Sequence, residues 1–223
     1  MLQLAESFRF PGNNNYVFTM DVKNLYTTIP NRDGLLALAH FLDKRPTLQL
    51  PTHTLVRLAE LVLTFNTFSF NKQTGGVAMG SRLGPNYACL FMGHIEEQIF
   101  EQYTAGTVPA LYKRYIGDIV GATSSSKGEI EDFATFVNGF HPSLKFTWSI
   151  SDEQRPYLDL YLKPTCSDRL ITSIYYKQTD THSYLNYTSS HPIRCKNSIP
   201  YNQFLRLRRI CSDERELIVR VRK

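Results

Sequence analysis

The stretch Leu111 to Gly121, LYKRYIGDIVG, constrains the fold more than any other. Two short runs rich in β-formers, LYKRYI and IVGAT, flank the pair Gly117-Asp118. That pair is a two-residue turn signal, so the stretch is expected to be a β-hairpin with Asp118 at its tip. A carboxylate there can face solvent, a metal or a substrate phosphate. Taken alone, the pattern favours a plain surface hairpin in which Asp118 serves only the turn. A second stretch shifts that balance. In Tyr16 to Pro30, YVFTMDVKNLYTTIP, Asp21 ends the apolar run YVFTM. Two strand-end acids far apart in sequence are what a two-metal phosphoryl-transfer site requires. Its carboxylates must converge on cations about 4 Å apart, and strands of one sheet can bring them there.

The runs DVKNLY, QTGGVAMGSRLGP and YIGD, in this order and spacing, resemble motifs A, B and C of reverse transcriptases. The wording around them is most similar to Penelope-like retroelements, and the resemblance covers nearly the whole chain. It implies an α+β fold: a polymerase-type palm, an antiparallel sheet backed by helices, with truncated fingers (only twenty residues precede Asp21) and the start of a thumb. Residues 1–176 would form the palm, with motif A near 16–30, motif B near 73–92, motif C near 111–121 and a primer-grip-like hairpin at 145–163. Residues 177–223 would form a basic thumb-like or connection segment.

The activity implied is RNA-directed DNA polymerisation. Asp21 and Asp118 would hold two Mg²⁺ (or Mn²⁺) ions, and the partners would be an RNA template with a DNA primer, or an RNA–DNA hybrid, and deoxynucleoside triphosphates. Tyr26 stands where the family keeps a ring that crowds the 2′-oxygen of an incoming nucleotide. Gln73, Gly76, Gly80, Ser81 and Pro85 match the loop that cradles the nascent base pair. Arg82, where a proline is common, is a candidate phosphate contact.

One departure outweighs the matches. The family's turn reads Tyr, any residue, Asp, Asp, and its first Asp is the metal ligand; here that position is Gly117. Strand alternation is expected to aim Asp118 differently from the missing acid. The resemblance therefore implies a catalytically impaired reverse transcriptase fragment, the alternative being a non-catalytic nucleic-acid-binding remnant of the same fold.

Elsewhere the chain reads as scaffold. Met1 to Asn15 is a lead-in ending in the turn PGNNN. Asn31 is placed to cap a helix with its inner face on Leu35, Leu38, Ala39 and Leu42. A second helix is expected over Thr52 to Thr64, burying Leu55, Leu58, Ala59 and Val62, then a strand over Phe65 to Phe70. A third starts at Pro85 and runs to about Tyr103, its inner face carrying Tyr87, Leu90, Phe91, His94, Ile95 and Ile99. His94 reads as a packed or surface residue, because no second histidine sits at ligand spacing. Ser124 to Ser126 can cap a helix over Glu129 to Gly139. Strands follow at Lys145 to Ser151, in YLDLYL, and at Arg169 to Gln178, with Asp159 as readily structural as functional.

The C-terminal stretch interleaves cations and rings: Lys177, His182, Tyr184, Tyr187, His191, Arg194, Lys196, Arg206, Arg208 and Arg209. Such patterns serve single-strand and hybrid binding, with Lys196, Arg206, Arg208 and Arg209 as the candidate contacts; a solvated terminal helix fits the same residues. The net charge of +5 is compatible with a polyanionic partner without requiring one. Four dispersed cysteines lack paired ligand spacing, so free thiols in a reducing compartment are expected. With no signal-peptide pattern and no run of transmembrane length, an intracellular protein without a membrane partner is expected.

Overall fold

The apolar runs YVFTMDV and DIVGAT, buried on both faces of a sheet, build the middle of the molecule. The computed structural model describes residues 1–46, 49–65, 67–68, 71–72, 75–78 and 80–221. Helix α1 (Leu2–Ser7) precedes strand β1 (Tyr16–Val22), and α2 (Leu25–Thr28), α3 (Asn31–Asp43) and α4 (Thr52–Thr64) follow. A small ladder, β2 (Thr67–Phe68) and β3 (Asn71–Lys72), leads to the long helix α5 (Gly84–Gln102). Then come β4 (Leu111–Tyr115), β5 (Asp118–Thr123), α6 (Lys127–Phe140) and β6 (Phe146–Ser151). The chain closes with β7 (Arg155–Tyr157), β8 (Leu160–Pro164), β9 (Leu170–Ile174), α7 (Ile193–Ile210) and α8 (Glu214–Val221).

The main sheet is antiparallel, ordered β4-β5-β1-β6, and a second sheet is ordered β7-β8-β9. Alternation sends successive residues of β1 to two different cores. Phe18, Met20 and Val22 join Ile119 of β5, Tyr87, Phe91 and Ile95 of α5 and Phe133 of α6 in one buried cluster. Val17 joins Val120, Ala122 and Leu111 with Ala5, Phe10, Tyr157, Leu162 and Leu170 in another. The main sheet is thus covered by helices on one face and by α1 and the second sheet on the other. By parity Asp21 and Asp118 belong to the second face.

Several expectations hold in detail. The α4 boundaries are those expected, Pro85 lies in the first turn of α5, and Ser126 caps α6 through a complete capping box with Glu129. Others are corrected. The lead-in contains α1, and Arg9 bridges to Arg169. Asn31 is the first helical residue of α3 rather than its cap; Pro30 occupies the cap, and Asn31 Oδ1 is buried without a hydrogen-bond partner. The buried strip of α3 is Gly34, Ala37 and Leu38, because Gly34 lets the Tyr87 ring of α5 press against the helix backbone.

On α4 only Ala59 and Leu63 are buried, whereas Leu58 and Val62 are about half exposed. Periodicity finds an apolar stripe but not how much of it neighbouring elements reach. Of the strand expected over Phe65 to Phe70, Thr67 and Phe68 form β2 and Phe65 closes α4, while Asn66, Ser69 and Phe70 lie outside the described residues. The stretch 145–163 is not one hairpin. Its first strand, β6, pairs with β1 in the main sheet, and the hairpin is β7–β8, extended by β9. Leu207 and Ile210 of α7 pack with Leu160 and Ile174, seating the C-terminal helix on the second sheet. No helix among the described residues is long and apolar enough to cross a membrane.

Candidate functional site

β1 and β5 pair in a register that sets Asp21 directly opposite Asp118. Cross-strand partners share a face, with Cβ atoms about 5 Å apart. Asp118 opens β5 opposite Tyr115, so the two-residue turn is Ile116-Gly117, one residue earlier than the sequence signal placed it. The alternation argument is unaffected by that shift: parity aligns Asp118 with Asp21 and turns it away from position 117. Gly117 still lies close. A Cβ built there would sit 3.9 Å from Asp21 Oδ1 and 3.6 Å from Leu25, ordinary contacts that leave room for that atom.

The turn is held by a network that sequence patterns do not reveal. Ile116 has φ 58°, a left-handed conformation unusual for a β-branched residue and costing about 1–3 kcal/mol. Arg114 Nη1 donates to the Ile116 carbonyl at 3.0 Å, while Nε and Nη2 reach the two Glu96 oxygens at 2.7 and 3.0 Å. Tyr112 donates to the same carboxylate at 3.0 Å, and Arg114 Nη2 also reaches the Cys89 carbonyl. This largely buried fork ties the acid-bearing hairpin to α5. Val22 N donates to the Gly117 carbonyl at 3.1 Å, continuing β1 past the turn.

The two acids line a cleft of about 220 Å³ with Thr147, Trp148, Tyr157 and Leu158. Burial, and then the negative charge of Asp21, holds the Asp118 carboxyl above the usual carboxylate range, with Lys177 working against them. Burial and then Asp118 push the Tyr157 phenol up to about 12, and its hydroxyl makes a long 3.4 Å bond to the Asp118 carbonyl. Tyr157 had no local signal as a site residue, because it meets Asp118 only through the sheet topology. Lys177, read above only among the C-terminal cations, acts on Asp118 as well, and Arg114 supports the turn from the helical face. A roomier cleft of about 600 Å³ lies between the strand β9 and the start of α8 and holds neither Asp21 nor Asp118.

The glycine-rich loop is stitched to α2 and the residue that ends it. Val77 N donates to the Tyr26 carbonyl at 2.7 Å and Gly76 N to that of Ile29 at 3.1 Å. Gly76 has φ +73° and its missing Cβ would overlap the backbone of Tyr26 and Thr27, so any other residue is excluded twice over. Ser81 Oγ accepts from Gly84 N at 3.0 Å; Gly80 and Arg82 are exposed and Tyr26 is half-buried beside Gly84. Gln73 lies outside the described residues.

The C-terminal cations separate into two groups. Lys196 donates to the Tyr187 and Ser189 carbonyls at 2.8 Å each, organising the loop before α7. Arg206 pairs with Asp159 at 2.7 Å. Both are thereby engaged within the chain, which gives Asp159 a structural role. Arg208 and Arg209 stand exposed in the last turn of α7, where positive charge complements the helix dipole.

With that geometry in place, the chain superposes on telomerase. Telomerase from Candida albicans in complex with a TWJ fragment of telomeric RNA matches 91% of this chain and 36% of its own, with 9% identity and a TM-score of 0.61. Apo telomerase from Candida tropicalis matches 71% of this chain and 33% of its own, with 13% identity and a TM-score of 0.56. The same enzyme truncated from its C-terminal domain gives 72%, 35%, 12% and 0.53. This chain spans about a third of the length of those it matches, and at such identities the likeness is one of fold: mixed helix and antiparallel sheet of the reverse-transcriptase kind. The animal helix-turn-helix domain model matches residues 183–219, which contain α7, the turn after it and most of α8. No curated protein matches the sequence significantly.

Proposed function

We propose that this chain is a reverse-transcriptase palm of the Penelope-like kind its motifs resemble, binding a primer–template or RNA–DNA hybrid with its polymerase chemistry impaired at Gly117. On this reading residues 1–176 are the palm and 177–223 the thumb-like segment. The observation that carries it is Asp21 set opposite Asp118 on one face of an antiparallel sheet, in a fold shared with telomerase. Two facing carboxylates, one of them resisting ionisation first through burial and then through the charge of the other, fit a divalent cation that relieves their repulsion. Mg²⁺ is commonly bound by one or two carboxylates plus substrate phosphates, so Asp21 and Asp118 suffice for one ion. A second ion needs another carboxylate, and Gly117 has none to offer. When bound, the metal supplies activation of the primer 3′-hydroxyl and stabilisation of the leaving pyrophosphate. The residues present hold and orient the primer end, with Tyr26 beside the loop of Gly76, Gly80, Ser81 and Arg82 to receive a deoxynucleotide.

Primer extension with Mg²⁺ or Mn²⁺, on the chain and on Gly117→Asp, tests the reading. A Cβ at position 117 makes only ordinary contacts, so the substitution begins without a clash. Restoring one stabilising group should raise extension by about 10²–10³-fold, and Asp21→Asn should abolish what is gained. Extension by the unaltered chain equal to that of Gly117→Asp would show that no acid is missing. Failure of either protein to bind an RNA–DNA hybrid would overturn the assignment as a whole.

A further inference from the structure

On the helical side of the molecule, away from the acids, α3 and α5 bring together three groups, one of them more than fifty residues from the other two. His94 and Glu97 lie three residues apart on α5, which places them on one helix face. His40 reaches them from α3. Its ring centroid is 4.5 Å from that of His94, and its Nε2 is 2.7 Å from Glu97 Oε2. One nitrogen of each imidazole and one oxygen of Glu97 lie within 4.8 Å of one another.

The hydrogen bonding of this cluster is unfinished. His94 Nδ1 is buried without a partner, and the other ring nitrogen, Nε2, lies 3.1 Å from Gln98 Nε2. Glu97 already attracts positive charge: Lys44 Nζ stands 3.1 Å from both of its oxygens. That lysine is half exposed, on a flexible stem free to swing into solvent.

We propose that His40, His94 and Glu97 form a binding site for a divalent transition-metal ion of the zinc class, clamping α3 to α5. Two imidazoles and a carboxylate are the protein ligands of an open tetrahedral zinc site, the fourth position being left to water. Imidazole nitrogen selects against Mg²⁺, so this site and the acid pair at Asp21 take different metals. Tetrahedral ligands 2.0–2.2 Å from zinc stand about 3.4 Å from one another. The present cluster brackets that separation, and small side-chain rotations close it. The ion replaces Lys44 as the counter-charge of Glu97 and fastens the helix that carries Glu96, the support of the acid-bearing turn. The site is independent of any polymerase activity.

Titration of the purified chain with Zn²⁺, and with Co²⁺ read by its visible ligand-field absorption, tests this. One ion per chain is expected, with equal affinity in Asp21→Asn and in the exposed-cysteine variant Cys166→Ser/Cys195→Ser. His40→Asn and Glu97→Gln alter half-exposed side chains, so the fold should persist by circular dichroism. Each should weaken binding by more than the roughly 10–100-fold that an outer-sphere partner is worth. The melting temperature of the unaltered chain should rise with Zn²⁺, and that of His40→Asn should not. No stoichiometric uptake by the unaltered chain overturns the proposal. So does uptake that survives both His40→Asn and Glu97→Gln, or that disappears with the two exposed cysteines.

Discussion

Asp118 shows what one residue of the candidate site costs the fold. Its carboxyl is held above the usual range, first by burial and then by Asp21, so folding favours its protonated form. A raised acid contributes stability that is present below the ordinary carboxylate range and lost as pH rises through the folded value. Asp118→Asn should therefore be more stable than the unaltered chain at neutral pH. The difference should shrink as pH falls into the ordinary carboxylate range, read by urea denaturation at several pH values. A constant difference over that span would mean that Asp118 ionises as freely in the folded chain as in the unfolded one. Arg114 works in the opposite sense. Its removal leaves Glu96 largely buried without its cation and frees the Ile116 carbonyl. Arg114→Ala should cost about 3 kcal/mol, the lower end of the range for a broken buried pair, since both side chains keep some contact with water. A loss below about 1 kcal/mol would reduce the pair to surface decoration.

Among the elements, the α3–α5 contact is governed by the absence of a side chain. Gly34 lies in the first turn of α3, where helix propensity alone favours alanine by about 1 kcal/mol. A Cβ there would overlap the Tyr87 hydroxyl, which donates to the Asn31 carbonyl at 3.2 Å, and Tyr87 is fully buried. Overpacking a close-packed contact costs about 1–3 kcal/mol, which outweighs the propensity gain. Gly34→Ala should lower the denaturation midpoint, and Gly34→Ala/Tyr87→Phe should recover part of the loss by removing the overlapped oxygen. A stabilised Gly34→Ala would show that α3 shifts freely on α5. Elements differ in how well their faces can be read from periodicity. The inner face of α5 emerges largely as its apolar repeat predicts, since sheet and helices surround it. That of α4 does not, because it lies at the margin and buries only a narrow strip.

For the whole molecule, charge is better judged by what each cation touches than by its count. Of the four C-terminal candidates, Lys196 and Arg206 are engaged within the chain, leaving Arg208 and Arg209 in the exposed last turn of α7. If they contact phosphate, Arg208→Ala/Arg209→Ala should reduce the salt-dependence slope of hybrid binding by up to roughly 0.7–0.9 per contact. Arg206→Ala should change that slope little. A slope altered only by Arg206→Ala would place the nucleic-acid surface on the Asp159 side of the helix.

The sequence by itself determined the local chemistry. Runs of apolar and β-forming residues predicted β1 and β5, a serine at 126 with glutamate three residues on lay at the start of α6, and the order of three motifs brought the two acids into one expectation. These are effects of neighbours within a few residues, which the string of letters preserves. Only the tertiary structure decided how distant segments meet. The Asp21–Asp118 register, the turn at Ile116-Gly117, the Arg114–Glu96 fork, the placing of β6 beside β1 and the meeting of His40 with His94 and Glu97 all depend on which strands and helices become neighbours. That choice belongs to the burial of two cores on opposite faces of one sheet, a property of the whole chain that no window of it contains.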